Sequence, residues 1–293
     1  MSTTLQTYLN QVQRLLHDSS ASSFSQTSVI DYINEAREDV ALDMHCVRNF
    51  YTNVSLIQGQ EIYNLNGAVV GATITNGDTY VTPPTVTFTA APAGGTTATG
   101  VAVLTGTAVT SINMTQWGQG YVTAPTITFG SGAATATPVF FNNVFQVISI
   151  SNIWNTQRYM LSFQGFTLFQ AYMRAWNTQY KARPGIWTIH PQMLQAYLRP
   201  APDQPYLSEW DVLSLPTPLV SVTDVDNQVT VPWNKAVQFR AAAIALMATQ
   251  NFEQAEYYDK KYESRVPRYI IGQAGIRIPN PYNPSFQRKI ARN

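Results

Sequence analysis

A block of twelve residues occurs twice in this chain, and that duplication limits the fold more than any other feature. Gly77-Asp78-Thr79-Tyr80-Val81-Thr82-Pro83-Pro84-Thr85-Val86-Thr87-Phe88 matches Gly118-Gln119-Gly120-Tyr121-Val122-Thr123-Ala124-Pro125-Thr126-Ile127-Thr128-Phe129, 41 positions later. Thr97-Ala98-Thr99 is matched by Thr135-Ala136-Thr137, 38 positions later. Short alternating runs of β-branched residues bounded by Gly and Pro read as strands. Two copies are too few for a solenoid. The expectation is one small all-β domain of two related halves over residues 66–140, inserted in a host fold. Gly77, Tyr80 and Pro84 mark the first copy; Gly118, Gly120, Tyr121 and Pro125 mark the second. The material differs from its flanks: Asp78 is its one charged residue, and no Lys or Arg lies between Arg48 and Arg158.

The flanks carry helical periodicity. Leu5, Leu9, Val12 and Leu16 fall on one side of a helix that Thr3 or Thr4 can cap. A Ser-rich turn over 19–23 ends it, and a second helix is expected from Ser28, with Asp31 three residues on. Its apolar stripe is Val29, Ile33, Ala36/Arg37, Val40 and Met44, with Asp31, Glu35, Glu38, Asp39 and Asp43 on the other side. These two form an N-terminal helical hairpin, followed by a first strand, over 1–65. Residues 141–263 read as a β-rich middle and then one long helix over 232–263. In the middle, Val144, Gln146, Ile148 and Ile150 share one strand face, Pro184 to Ile189 is a turn into a strand, and Leu194 to Leu198 is another strand.

Residues 264–293 form an arm with six Lys or Arg, four Pro and no acid. Its apolar residues, Tyr269, Ile270, Ile271, Ile276, Ile278, Tyr282 and Phe286, follow no helical or strand period and alternate with Arg277, Arg288 and Lys289. Such a segment cannot make a core of its own, and its composition suits an extended arm docked on another protein. The fold class expected is therefore α+β: a helical core, a β-rich middle, an inserted β-repeat domain and an extended C-terminal arm.

Charge and motifs narrow the function. Charged residues make up 12%, about half the ordinary share of ~25%, and the net charge is +1. That balance is wrong for a general nucleic-acid binder and for a disordered chain. It suits a surface largely covered by partners. One cysteine, Cys46, allows no internal disulfide and no Cys-rich zinc site. His17, His45 and His190 form no metal spacing, and His45 and Cys46, being adjacent, point apart on a helix. Glu35 with Asp39, Asp31 with Glu35, and Glu253, Glu256 and Asp259 read as solvated helix faces rather than acid pairs. Asp224-Val225-Asp226-Asn227 reads as a turn, because no downstream Glu closes a calcium loop. No catalytic residues, metal or cofactor are expected. Tyr80, Trp117 and Tyr121 could serve as glycan platforms or fill the core between the repeat halves; the second is the reading preferred. Residues 1–6 show no secretory signal and the longest apolar run, Ala241–Ala248, is far short of a bilayer span, so a soluble protein made in the cytoplasm is expected, without membrane contact.

Taken in order, the motifs resemble the head-to-tail adaptors of tailed, chiefly short-tailed, bacteriophages. The residues that carry the resemblance are Tyr32-Ile33-Asn34-Glu35-Ala36-Arg37-Glu38-Asp39-Val40-Ala41, Pro184-Gly185-Ile186-Trp187, Tyr197-Leu198-Arg199-Pro200-Ala201-Pro202, Leu215-Pro216-Thr217-Pro218-Leu219, and the Ala-rich stretch Trp233 through Leu246. The resemblance covers the chain except residues 66–140. It implies a structural virion protein of the neck, assembled in the host cytoplasm. Twelve copies would ring the portal, extend the DNA channel without sequence-specific binding, and present a platform for tail nozzle, tube or fibre proteins. The arm would enter clefts of the portal protein and become ordered on docking. The alternative is a tail or neck protein whose β insert binds a host receptor or glycan.

Overall fold

The computed structural model describes residues 3–18, 21–155, 157–173, 180–190 and 192–266. In chain order the described elements begin with β1 (Thr3–Thr4), α1 (Leu5–Leu15), α2 (Gln26–Met44), β2 (Arg48–Leu56), β3 (Ile62–Asn64), β4 (Ala68–Asn76) and β5 (Val86–Phe88). There follow β6 (Thr99–Thr105), β7 (Ala108–Gln116), β8 (Ile127–Phe129), β9 (Thr135–Phe141), β10 (Val144–Trp154), β11 (Gln157–Met160), β12 (Ser162–Phe163) and α3 (Phe166–Met173). The last are β13 (Ile186–His190), β14 (Gln195–Arg199), β15 (Tyr206–Ser214), β16 (Val225–Asp226), α4 (Asn234–Ala248) and α5 (Phe252–Glu263). The fold is mixed α+β. Two compact units divide it, Met1–Val47 with Pro216–Asn293, and Arg48–Leu215.

The first unit gathers α1, α2, α4 and α5 with the small ladder β1–β16. Its core joins Leu5, Tyr8, Leu9 and Val12 of α1 to Val29, Ile33, Ala36 and Val40 of α2 and to Ala236, Val237 and Ala241 of α4. Apolar residues three and four apart line one side of each helix, so packing these stripes together removes them from water. Thr4 caps α1 by accepting from the Thr7 amide. Ser25, not Ser28, caps α2: its hydroxyl accepts from the Ser28 amide, so the helix starts one turn earlier than the sequence pattern suggested.

The expected long helix over 232–263 is two helices. Gln250 takes a left-handed conformation (φ 61°), its amide donates to the Met247 carbonyl, and the Asn251 amide donates to the Leu246 carbonyl. This is a Schellman ending, usually built on glycine. Apolar spacing runs through it undisturbed because α4 and α5 both contribute to one core, so the periodicity carries no mark of the break. Pro232 lies ahead of the helix, outside its first turn, and Trp233 makes no side-chain cap.

The second unit is built on an antiparallel six-stranded sheet in the order β11-β10-β15-β2-β4-β9. A four-stranded sheet in the order β12-β13-β14-β3 carries α3, whose Phe166 and Phe169 pack on His190 and Tyr197. In β10 the expected two-residue alternation fails. Bulges between Val144 and Gln146 and between Val147 and Ser149 bring Val144, Val147 and Ile150 inward and leave Gln146 and Ile148 exposed.

The duplicated stretch lies wholly within this unit, and the repeat is longer than its sequence match. β4 pairs with β9, β6 with β7, and β5 with β8. The pairs Ala68↔Phe141 and Asn76↔Thr135 of one ladder have their counterparts in Ala108↔Thr105 and Gln116↔Thr99 of the other. Even the bulges coincide, at Val69/Gly71 and Ile74/Asn76 in β4 and at the equivalent residues of β7. Each copy is thus three strands (β4-β5-β6 and β7-β8-β9), and every ladder takes one strand from each. Two copies exchange strands about a pseudo-two-fold axis through the β5–β8 pair. That alignment sets Thr99 against Thr135, so the triplet match 38 positions apart is displaced by two residues; a Thr-Ala-Thr triplet is too simple to fix register.

The core runs through the expected boundary at residue 66. Val54 of β2 pairs with Gly71 of β4, where a β-carbon would overlap the Asn53 carbonyl oxygen. Trp117 lies among Tyr63, Phe141 and Trp210, and its indole N–H donates to the Ser55 carbonyl at 2.7 Å.

Candidate functional site

Three places in the structure concentrate the residues singled out by the sequence. The first is a buried polar node in the helical unit. Arg37 sits in the apolar stripe of α2 and is 1% exposed. Its Nε donates to Asp226 Oδ2 at 2.9 Å and its Nη2 to Asp226 Oδ1 at 3.0 Å, a bidentate pair. Nη1 donates to the Thr217 carbonyl at 2.8 Å. Three further donors complete the carboxylate shell: Tyr8 Oη at 3.1 Å and the Gln228 and Val229 amides at 3.1 and 3.0 Å. Beside it, Asn34 holds Leu219 at both ends of its side chain, donating to the Leu219 carbonyl and accepting from the Leu219 amide. Asp226 thus takes part in the expected turn, accepting from the Gln228 amide two residues on, but it is buried and holds Arg37, which the sequence did not suggest. Asp224 does serve a turn, accepting from the Val220 and Ser221 amides, which hold its carboxyl below the usual range. The sequence offered one sign of the node, a single arginine on an otherwise apolar helix face.

Protons held by this unit give it a pH dependence. Burial first, then the Asp226 charge and hydrogen bond, push the Tyr8 hydroxyl far above the ordinary phenol range. Burial followed by Asp43 does the same to Tyr262, and burial pushes the Cys46 thiol up to about 12. The folded state keeps protons that the unfolded chain releases above roughly pH 8.5 for a thiol and 10 for a phenol. Stability is fully present below those values and falls as pH rises above them, by up to ~1.4 kcal/mol per pH unit for each such group. Denaturant midpoints measured from pH 8 to 11 should decline, and Tyr8→Phe should flatten the decline; a level profile would contradict the assignment.

The second place is the repeat pair. The two tyrosines play matched parts across the pseudo-two-fold axis. Tyr80 donates to the Ser131 carbonyl and accepts from the Ala134 amide; Tyr121 donates to the Thr89 carbonyl and accepts from the Ala98 amide. Each hydroxyl ties down the segment beyond the other copy's strand. Tyr80 (7% exposed), Trp117 (2%) and Tyr121 (5%) are all buried, so none can serve as a stacking platform for a sugar; the tyrosines link the two halves, whereas Trp117 packs on Tyr63, Phe141 and Trp210 outside the insert. Pro84 and Pro125 are buried at equivalent positions. The carbonyls of Gly77 and Gly118 accept from Val109 and Val69, again a matched pair. The turn that follows has diverged: Asp78 carries the positive φ in the first copy and Gly120 in the second. Hydrogen bonds from the Ala133 and Thr79 amides hold the Asp78 carboxyl below the usual range.

The third place is a cleft of about 390 Å³ lined by Asp43, Arg240, Asp259, Tyr262, Glu263 and Val266. Arg240 bridges Asp39 and Asp259 at 2.6 and 2.7 Å, and Tyr262 donates to Asp43 at 2.6 Å. The cleft is where the chain passes into the arm. Tyr269, Ile270, Ile271, Ile276, Arg277, Ile278, Tyr282, Phe286, Arg288 and Lys289 lie outside the described residues.

The remaining candidates are dispersed. His45 ends α2 in a left-handed conformation, so it and Cys46 lie beyond the helix rather than on it. His190 Nδ1 accepts from the Met193 amide. Glu256 pairs with Lys260. Among the described residues, no three His, Cys, Asp or Glu side chains converge as a metal site, and no helix is long and apolar enough to cross a membrane.

In the β unit, the Pro184–Trp187 turn and the Tyr197–Pro202 segment form one ladder. Ile186 faces Arg199, Trp187 faces Leu198, and the Gly185 amide donates to the Arg199 carbonyl. Arg199 is buried, ion-paired to Glu61, and stacked over Phe169. No protein-family model matches this chain, and no curated protein matches it.

Proposed function

We propose that the chain is a structural virion protein, a head-to-tail adaptor of a tailed bacteriophage that rings the portal and carries the tail. One observation supports this above the rest. Four of the segments that bear the resemblance meet as pairs within their units, one pair across some 180 positions and the other across about ten. Asn34 and Arg37 of the first hold Thr217 and Leu219 of the Leu-Pro-Thr-Pro-Leu stretch. The Pro-Gly-Ile-Trp turn forms a ladder with the Tyr-Leu-Arg-Pro-Ala-Pro segment. Motifs that touch have a reason to occur together, whereas an accidental series has none.

On this reading the four helices form the core of the ring subunit. The arm anchors it to the portal, and residues 66–140 reach toward tail components. The low charge suits neighbours that bury one another's polar surface. The alternative, a glycan-binding insert, loses its proposed platforms to burial.

Portal binding should distinguish the parts. The full chain and a chain ending at Val266 are mixed with portal and read by mass photometry. The full chain alone is expected to build a defined ring. Binding by both would move the contact to the folded units, and binding by neither would remove the adaptor reading.

A further inference from the structure

The charges of this protein are nearly balanced overall but are strongly segregated. Residues 3–47 and 216–266 of the helical unit carry twelve acids against seven Lys or Arg, a net of −5. Residues 267–293 carry five Lys or Arg and no acid, a net of +5. The β unit, 48–215, carries six Lys or Arg against five acids.

The surplus of negative charge has a place. One side of α2 shows Asp31, Glu35 and Glu38, none of which makes an ion pair with a described residue, and then Leu42, an exposed leucine (44%). At ~1.5 Å per residue, the stripe from Asp31 to Leu42 is about 16 Å long. The cleft lies at the C-terminal turn of the same helix, at Asp43, about 100° around the axis from Leu42; Glu263 adds a carboxylate there, and Arg240 is already matched by Asp39 and Asp259. Val266 lines the same cleft, so the basic segment starts beside the C-terminal turn of α2.

We propose that this side of α2 and the adjoining cleft bind residues 267–293 of the same chain. Arg277, Arg288 and Lys289 would face the carboxylates, and isoleucines of the arm would cover Leu42. The tether argues for the same chain over a second copy: a segment leaving from the cleft is held near it at an effective concentration in the ~mM range. Five or six extended residues span the stripe, and the arm has 27. The contact is electrostatic and one-sided, so salt or a better partner displaces the arm. In the free protein it covers the segment that the adaptor reading assigns to the portal. The inference does not depend on that reading, because neither the charge segregation nor its test involves a portal.

The test uses the full chain alone. Trypsin cleavage after Arg277 and Arg288 should be at least 10-fold slower at 50 mM than at 500 mM NaCl, allowing for the salt dependence of the protease on a free peptide of the same sequence. The variant Asp31→Asn/Glu35→Gln/Glu38→Gln/Glu263→Gln removes only carboxylates without a described ion pair; it should cleave fast at both salts while keeping its circular dichroism. Carbodiimide should join Lys289, the one lysine of the arm, to Glu35, Glu38 or Glu263 within the monomer. Equal cleavage rates in the two proteins would overturn the proposal. So would cross-links confined to dimers, which would assign the surface to a second copy's arm.

Discussion

Replacing Arg37 by methionine should lower the stability of the helical unit by about 3–5 kcal/mol, because it leaves the Asp226 carboxylate buried without its cation. Both side chains are essentially out of contact with water. The loss is larger than methionine's fit would suggest, since Thr217 also loses a donor at its carbonyl. Asp226→Asn should cost a similar amount, by stranding the guanidinium. The double replacement Arg37→Met/Asp226→Leu should recover most of it, because two apolar groups of similar volume avoid the desolvation of both charges. Urea unfolding followed by far-ultraviolet circular dichroism checks the cycle. A single-variant loss below ~1 kcal/mol would mean that the pair behaves as a surface ion pair.

Trp117→Ala should cost about 3–5 kcal/mol, in the range of large aromatic truncations in a core. The residue belongs to the duplicated stretch, yet its neighbours Tyr63 and Trp210 belong to the sheet around it. Its loss should therefore be felt outside the repeats. Amides of β2 and β15 should exchange faster in step with those of β4 and β7. Trp117→Phe should cost less, about 1–3 kcal/mol, much of it from the Ser55 carbonyl left without its donor. Unchanged exchange in β2 and β15 would show that the repeats melt alone.

These two residues also show what could be read in advance. The duplication announced itself through residues that the backbone requires: tyrosines whose hydroxyls each donate to one backbone carbonyl and accept from one amide, buried prolines, and glycines at close approaches. It did not announce strand exchange. β4 resembles β7 too little in sequence to be matched, because equivalent positions of the two copies meet different surroundings. Val70 and Phe141 are buried in the first ladder, whereas their counterparts Thr110 and Thr105 are exposed and hydrogen-bond each other. Different surroundings removed the likeness that a sequence comparison needs.

By itself the sequence determined the local matters: which stretches bury one side, that Thr3 or Thr4 caps the first helix, where glycine and proline end a strand, and which face of α2 is acidic. Each depends on residues within a few positions of one another, so periodicity and spacing carry the signal. Only the tertiary structure decided that Arg37 meets Asp226 across 189 positions, that Gln250 breaks the last helix, and that Trp117 joins the repeats to the larger sheet. Those outcomes depend on what lies opposite in space. A buried charge, a left-handed glutamine and a shared core are each stabilised by distant partners, and no local pattern records them.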